Sequence, residues 1–247
     1  MRYFSTSGII LRKQNSGEND FFLTLLSPEH GRLQATSRSS RKITSLKGPH
    51  LDPLNYGTFQ LYRSGDRYTL TECQIENTFP VIKADLEKSL YGLTICEILL
   101  KSIQDNQENQ ELFQLFLRTL ERLESSDQNH LTLEEFKIKL LKNSGSWPDI
   151  GVCNYCQQRW QADDDIWIDR IGNLNCLDCR HLNHDKLDST SFDAVKLANF
   201  LAEYTTDQIK LNIKPTQLFD LQKITGIFLT NYLHCELKGE KILPSAS

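Results

Sequence analysis

Four of the seven cysteines fall into two pairs of one spacing, and that spacing limits how the middle of the chain can fold. Cys153-Asn154-Tyr155-Cys156 and Cys176-Leu177-Asp178-Cys179 are both C-x2-C, separated by nineteen residues. Each C-x2-C closes a tight knuckle that aims two sulfurs at one point, and two knuckles complete a tetrahedron around Zn2+. Four thiolate ligands leave no position open for water or substrate. A single Zn2+ held by Cys153, Cys156, Cys176 and Cys179 is therefore structural, and the function must lie elsewhere. His181 and His184 lie close to Cys179, and one could replace a cysteine, but four well-spaced thiols make that unnecessary. Disulfides and a redox C-x2-C are the competing readings. Met1 to Thr6 lead straight into structured sequence with no apolar signal region. A redox C-x2-C comes singly beside a βαβ pattern, which is not visible here. Cys73, Cys96 and Cys235 sit among apolar residues, as buried thiols do.

Charge is unevenly spread. The net charge is −4. Residues 1–80 hold ten Lys/Arg against seven Asp/Glu, whereas residues 81–247 hold eighteen against twenty-five. Between Arg32 and Leu51 there are five basic residues and no acidic one. A basic N-terminal module on an acidic body is a nucleic-acid signal, although a solvated basic loop reads the same way. No apolar run approaches the length of a membrane span. The longest, Leu90 to Ile103, is interrupted by Glu97 and Lys101, so no membrane partner and a cytoplasmic location are expected.

The chain reads as α+β. Short apolar or alternating runs at Gly8–Arg12, Asp20–Leu26, Arg32–Ser37, Thr58–Arg63 and Tyr68–Cys73 predict five strands within residues 1–80. That count and size fit a small barrel of the OB type. The connection from Arg38 to Tyr56 is long and carries Gly48, Pro49 and Pro53, and long ordered loops are often functional. Residues 81–247 read as a helical domain. Leu86, Leu90, Leu93, Glu97, Leu100 and Gln104 mark one helical line, widened by Ile95, Ile98, Leu99 and Ile103. Leu112 to Leu123 carry a second stripe. Thr132-Leu133-Glu134-Glu135 has capping-box spacing and opens a third helix running through Leu141. A knuckle at about 150–182 is inserted before the helices at Ser191–Tyr204 and after Pro215, and the helices on either side of it are expected to pack together.

Phosphate binding needs cations that track a backbone. Arg38, Arg41, Lys42 and Lys47 lie in or beside the long loop, and Arg12, Lys13 and Arg32 sit at strand ends. Tyr62, on the face opposite Phe59 and Leu61, is the candidate for base stacking, while Phe59 belongs to the core.

The order of parts resembles the RecO family of bacterial recombination-mediator DNA-repair proteins. The resemblance rests on Gly8-Ile9-Ile10-Leu11, Gly17-Glu18-Asn19-Asp20 and Leu26-Ser27-Pro28-Glu29-His30-Gly31-Arg32-Leu33. It continues through Lys47-Gly48, Leu54, Thr58-Phe59-Gln60-Leu61 and Phe228-Leu229-Thr230-Asn231-Tyr232-Leu233. It implies an OB-fold that binds single- and double-stranded DNA, a helical domain with a zinc knuckle in many members, and no catalytic residues. It further implies strand annealing and, with the partner RecR, loading of RecA on DNA coated by single-strand DNA-binding protein. The acidic C-terminal tail of that coat protein would dock on the helical domain, where Arg118 and Arg122 flank apolar positions and several lysines qualify equally. The location implied is the bacterial cytoplasm, at the nucleoid. In one departure, Lys238-Gly239-Glu240-Lys241 is a diluted form of the family's basic patch. The alternatives are an RNA-binding OB-fold protein with structural zinc, and a hydrolase. The latter would need clustered carboxylates, for which only Glu18/Asp20 and Asp163-Asp164-Asp165 offer themselves.

Overall fold

The computed structural model describes residues 2–105, 107–162, 164–182, 187–206 and 211–243. Asp163 and His184 fall outside them. Five strands form a closed barrel: β1 (Tyr3–Ser16), β2 (Asp20–Ser27), β3 (Gly31–Ser37), β4 (Tyr56–Ser64) and β5 (Arg67–Asn77). Their order is β1-β2-β3-β5-β4, and β4 closes back on β1. Every pairing is antiparallel except β3 with β5. This is the OB-like barrel expected from the five runs. Ile10, Leu23, Leu25, Leu33, Ala35, Phe59, Leu61 and Leu70 fill it. The β1–β2, β2–β3 and β4–β5 turns are made by Gly17, Gly31 and Gly65, each with positive φ, where a side chain is strained.

Helices α1 (Pro80–Ala84), α2 (Leu86–Ser102) and α3 (Gln110–Ser125) belong to the same compact unit as the barrel, Met1–Asp127, which Leu237–Leu243 completes. Asp85 and Asn109 cap α2 and α3 by accepting from the third backbone N–H beyond them. By contacts the first compact unit runs on past the barrel to Asp127, for identifiable reasons. Asn109 N donates to Pro28 O (3.2 Å), Arg32 pairs with Asp105, and the Tyr56 and Phe113 rings lie 6.2 Å apart. Gly31 meets Gln107 so closely that a Cβ would overlap the Gln107 carbonyl oxygen, and its φ is +59°. Gly31→Ala should therefore destabilise the protein by more than the ~1–2 kcal/mol of a left-handed backbone alone, read as a lowered thermal midpoint.

The predicted line along α2 is corrected. Leu86 is 78% exposed and Leu93 47% exposed, whereas Ile95, Ile98 and Leu99 are buried as expected, together with Tyr91. A helix with leucines all round offers two faces, and the one carrying the large Tyr91 turns inward. Near the end of α2, the Glu97 carboxylate accepts from the backbone N–H groups of Lys238 (3.0 Å) and Gly239 (2.8 Å). Burial alone would raise its pKa. Those donors and Lys101 outweigh burial and hold it below the usual carboxylate range.

The second unit, Gln128–Glu236, holds α4 (Asn129–Asn143), α5 (Phe192–Glu203) and α6 (Pro215–Leu233). It also holds a small sheet of β6 (Ile166–Ile168), β7 (Leu174–Cys176) and β8 (Asp188–Thr190), in the order β7-β6-β8. α4 packs on both α5 and α6, so the helices before and after the knuckle do meet. The capping box predicted at Thr132 is overturned. α4 starts at Asn129, Thr132 Oγ1 donates back to Gln128 O (2.9 Å), and the Glu135 carboxylate accepts from Thr206. Glu134 is buried too, accepting from Lys137 Nζ (2.9 Å) and Thr225. Both carboxylates serve interior contacts of α4, and neither returns to a cap.

Candidate metal centre and nucleic-acid interface

The four cysteine sulfurs come together, each within 4.8 Å of the others. Cys156 and Cys176 Sγ are 3.8 Å apart. Sulfurs about 2.3 Å from a tetrahedral metal lie about 3.8 Å from one another, so the donor set fits a four-thiolate ion. The local fold explains the convergence. Gln157 N donates to Cys153 O (2.9 Å) and Gln157 takes positive φ, which closes the first knuckle. Cys179 N donates to Cys176 O (3.2 Å) in the second. Asn154 ties the two: its N–H donates to Leu174 O (2.8 Å), and its side-chain oxygen accepts from Leu174 N (2.8 Å). Asp169, buried, accepts from the N–H groups of Ile171 (3.0 Å) and Asn173 (2.8 Å), shaping the turn that brings β7 back along β6. Sequence reading missed Asn154 and Asp169. The signal for Asp169 was the turn wording Asp169-Arg170-Ile171-Gly172, in which Gly172 has φ of +93°.

The thiols are not equivalent. Burial pushes the Cys153 thiol up. Hydrogen bonds from the backbone N–H groups of Cys156, Cys176 and Tyr155 outweigh that and bring it down to about 7. Cys176 is shifted up by burial. The donor set could hold a metal ion, and four ligands would close the site. Asp164 accepts from Gln161 N (2.7 Å) in a turn of the kind expected for the acidic run.

The basic residues predicted for DNA separate into exposed and engaged groups, with Arg41 both exposed and bonded. The loop between β3 and β4 is tied down at both limbs. Arg41 N donates to Asn19 O (2.9 Å), Arg41 Nη1 donates to Gly17 O (2.7 Å), and Ser39 N donates to Asp20 (2.7 Å). Arg38, Arg41 and Lys42 are exposed there beside the β1–β2 turn. Lys47 Nζ instead donates to the carbonyls of Leu70 and Thr71 (3.3 Å each). Arg32 is held by Asp105 (2.5 Å) and Leu100 O (2.7 Å). Lys13 pairs with Asp52 and lies 4.9 Å from the centre of the Phe21 ring, and Arg12 is exposed. Tyr62 is half-buried with its ring 4.8 Å from that of Tyr3, which is exposed, at the start of β1. Tyr3 was missed because nothing in the sequence pairs it with Tyr62 across the barrel seam. Phe59 is fully buried, as expected. On α3, Arg118 is exposed and Arg122 buried.

Among the described residues, no helix is long and apolar enough to cross a membrane. Two family models cover almost all of the chain. The model described as recombination protein O N terminal matches residues 1–79, and the one described as recombination protein O C terminal matches residues 83–241. A DNA repair protein RecO of Dehalococcoides mccartyi strain BAV1 is 33% identical over 220 residues, which is 89% of this chain and 86% of that protein. The DNA repair protein RecO of Clostridium perfringens strain 13 is 25% identical over 245 residues, 98% of each chain. With the OB-like barrel, the four-cysteine cluster and both family models in the same order along the sequence, the chain belongs to the RecO family of DNA repair proteins.

Proposed function

We propose that this protein is a non-enzymatic recombination mediator. It binds single- and double-stranded DNA through residues 1–80, anneals complementary strands and, with RecR, helps load RecA on DNA coated by single-strand DNA-binding protein. The observation that carries this reading is the anchored β3–β4 loop, which presents Arg38, Arg41 and Lys42 together on an OB-like barrel. Cations held at one place can screen two phosphate chains at once and so raise the local concentration of complementary strands. Lys47, Arg32 and Lys13, which are half-buried and bonded to the protein, contribute less than the three exposed groups, of which Arg41 commits only one of its N–H groups, to Gly17 O. Arg12 and Tyr62 extend the contact. The rest of the chain, 81–247, carries partner contacts. The acidic tail of the coat protein would meet Arg118 before the buried Arg122. The four cysteines hold one structural Zn2+, since thiolates at this separation suit that ion. The protein works in the bacterial cytoplasm at the nucleoid.

The test is annealing of complementary oligonucleotides coated with the cognate single-strand DNA-binding protein, across a salt series. The protein should accelerate annealing, and binding should weaken with salt by about 0.7 log units per phosphate contacted, per log unit of salt. Replacing Arg38, Arg41 and Lys42 together with Glu should abolish the acceleration. Unchanged annealing by that variant would sink the reading. A preference for structured RNA over single-stranded DNA at matched salt would replace it with an RNA-binding function.

A further inference from the structure

The tip of the β3–β4 loop carries two apolar side chains that the protein does nothing to cover. Ile43 is fully exposed and Leu46 is 89% exposed. The segment around them is anchored. Ser40 is buried and its hydroxyl donates to Ser37 O (2.6 Å). Ser45 N donates to Lys42 O (2.9 Å), and Gly48 N donates to Ser45 Oγ (3.1 Å). Gly48 lies so close to Ser40 that a Cβ would overlap the Ser40 carbonyl oxygen, so the two limbs of the loop touch. Leu51 and Leu54, further along the same connection, are buried in the ordinary way. A loop fixed at both limbs holds Ile43 and Leu46 out into solvent, and apolar surface held out gains free energy when something covers it.

The surrounding charge selects what that is. Arg38, Arg41 and Lys42 are exposed within a few residues of the tip, and no carboxylate lies between Arg32 and Leu51. Acidic groups nearby are Asp20, which accepts from Ser39 N, and the exposed Glu18, on the β1–β2 turn to which Arg41 bonds. The complementary ligand is a polyanion with apolar faces, which describes an unpaired nucleic-acid strand. We propose that Ile43 and Leu46 form an apolar wedge. It packs against the bases of a strand whose phosphates are held by Arg38, Arg41 and Lys42, so that the loop distinguishes unpaired from paired strand. In a duplex the base faces are already stacked, and inserting a side chain requires unstacking a step. Unpaired bases offer their faces freely. The inference deepens the DNA-binding reading above and rests on it.

The test uses the full-length protein, a labelled single-stranded oligonucleotide, its duplex, and a single strand carrying 2-aminopurine, whose emission reports stacking. Ile43→Ser with Leu46→Ser should weaken single-strand binding by about tenfold. Duplex binding should stay within about twofold, with an unchanged salt slope, because the slope counts phosphates and not bases. The 2-aminopurine change seen with the wild-type protein should shrink with it. Ile43→Phe with Leu46→Phe should restore both, and the thermal midpoint of each variant should match the wild type. Wild-type affinity and emission in the serine variant, or equal loss on single strand and duplex, would overturn the wedge while leaving the DNA-binding reading in place. Absence of binding by the wild-type protein to either DNA would remove that reading and the wedge with it.

Discussion

Replacing Cys153 with serine should strip the metal from the protein and unfold its second unit. Cys153 is fully buried and shares one core with Trp160, Ile166, Ile168 and Leu174 of the knuckle and with Leu131, Ile138, Val195 and Leu221 of the helices. A structural zinc contributes about 10–16 kcal/mol in small zinc-folded peptides. Whole domains are stable by only about 5–15 kcal/mol, so a lost ligand is felt well beyond the knuckle. DNA binding should fall only indirectly, because the basic loop belongs to the other unit. Metal content by atomic emission and thermal unfolding check this together. A stably folded, metal-free Cys153→Ser protein would defeat it. Acid should act in the same direction. Metal binding requires thiolates, so protons compete with the ion. Cys153, lowered to about 7, deprotonates more readily than Cys176, which is raised and holds its proton more firmly. The metal should therefore be lost to a chelator more readily as pH falls from about 8 to 6.

Lys137→Met should be nearly as damaging. Lys137 and Glu134 are 3% and 1% exposed and pair at 2.9 Å inside the second unit, with Thr225 also donating to Glu134. Removing the cation leaves a buried carboxylate without its counter-charge, a change that costs about 3–5 kcal/mol. Pairing it with Glu134→Leu removes both charges, and most of the loss should return, because a buried pair often contributes little beyond its apolar replacement. Urea midpoints of the single and double variants decide the matter. Equal stability of Lys137→Met and wild type would show that the pair is not shut off from water.

The two features read most directly from the sequence were those with local causes. The C-x2-C knuckles are legible because ligand spacing is a local property, and the structure brings all four sulfurs together. The barrel strands are legible because alternation sorts Phe59 and Leu61 from Gln60 and Tyr62. Long-range choices were not legible. Ile95, Ile98 and Leu99 were legible on α2, but Leu86 and Leu93 gave way to Tyr91 because several faces of the helix are apolar and only the packing decides. The capping box at Thr132 failed because Glu135 has a partner at Thr206, which no local pattern announces. Among the predicted cations, the sequence shows charge but not engagement. Lys47 donates to two strand carbonyls and Arg32 to Asp105, while Arg38 and Lys42 stand exposed. The apolar tip at Ile43 and Leu46 was likewise hidden, since an isoleucine in a sequence is presumed inside until its surroundings are known.

The return of Leu237–Leu243 to the first unit sets an order on synthesis. Leu237 is 4% exposed, and Lys238 and Gly239 bond to Glu97, so these residues complete a unit whose other members were made before residue 128. On the ribosome the barrel and its first three helices must wait, unfinished at α2, while the entire second unit is translated. Leu237 then emerges to close them.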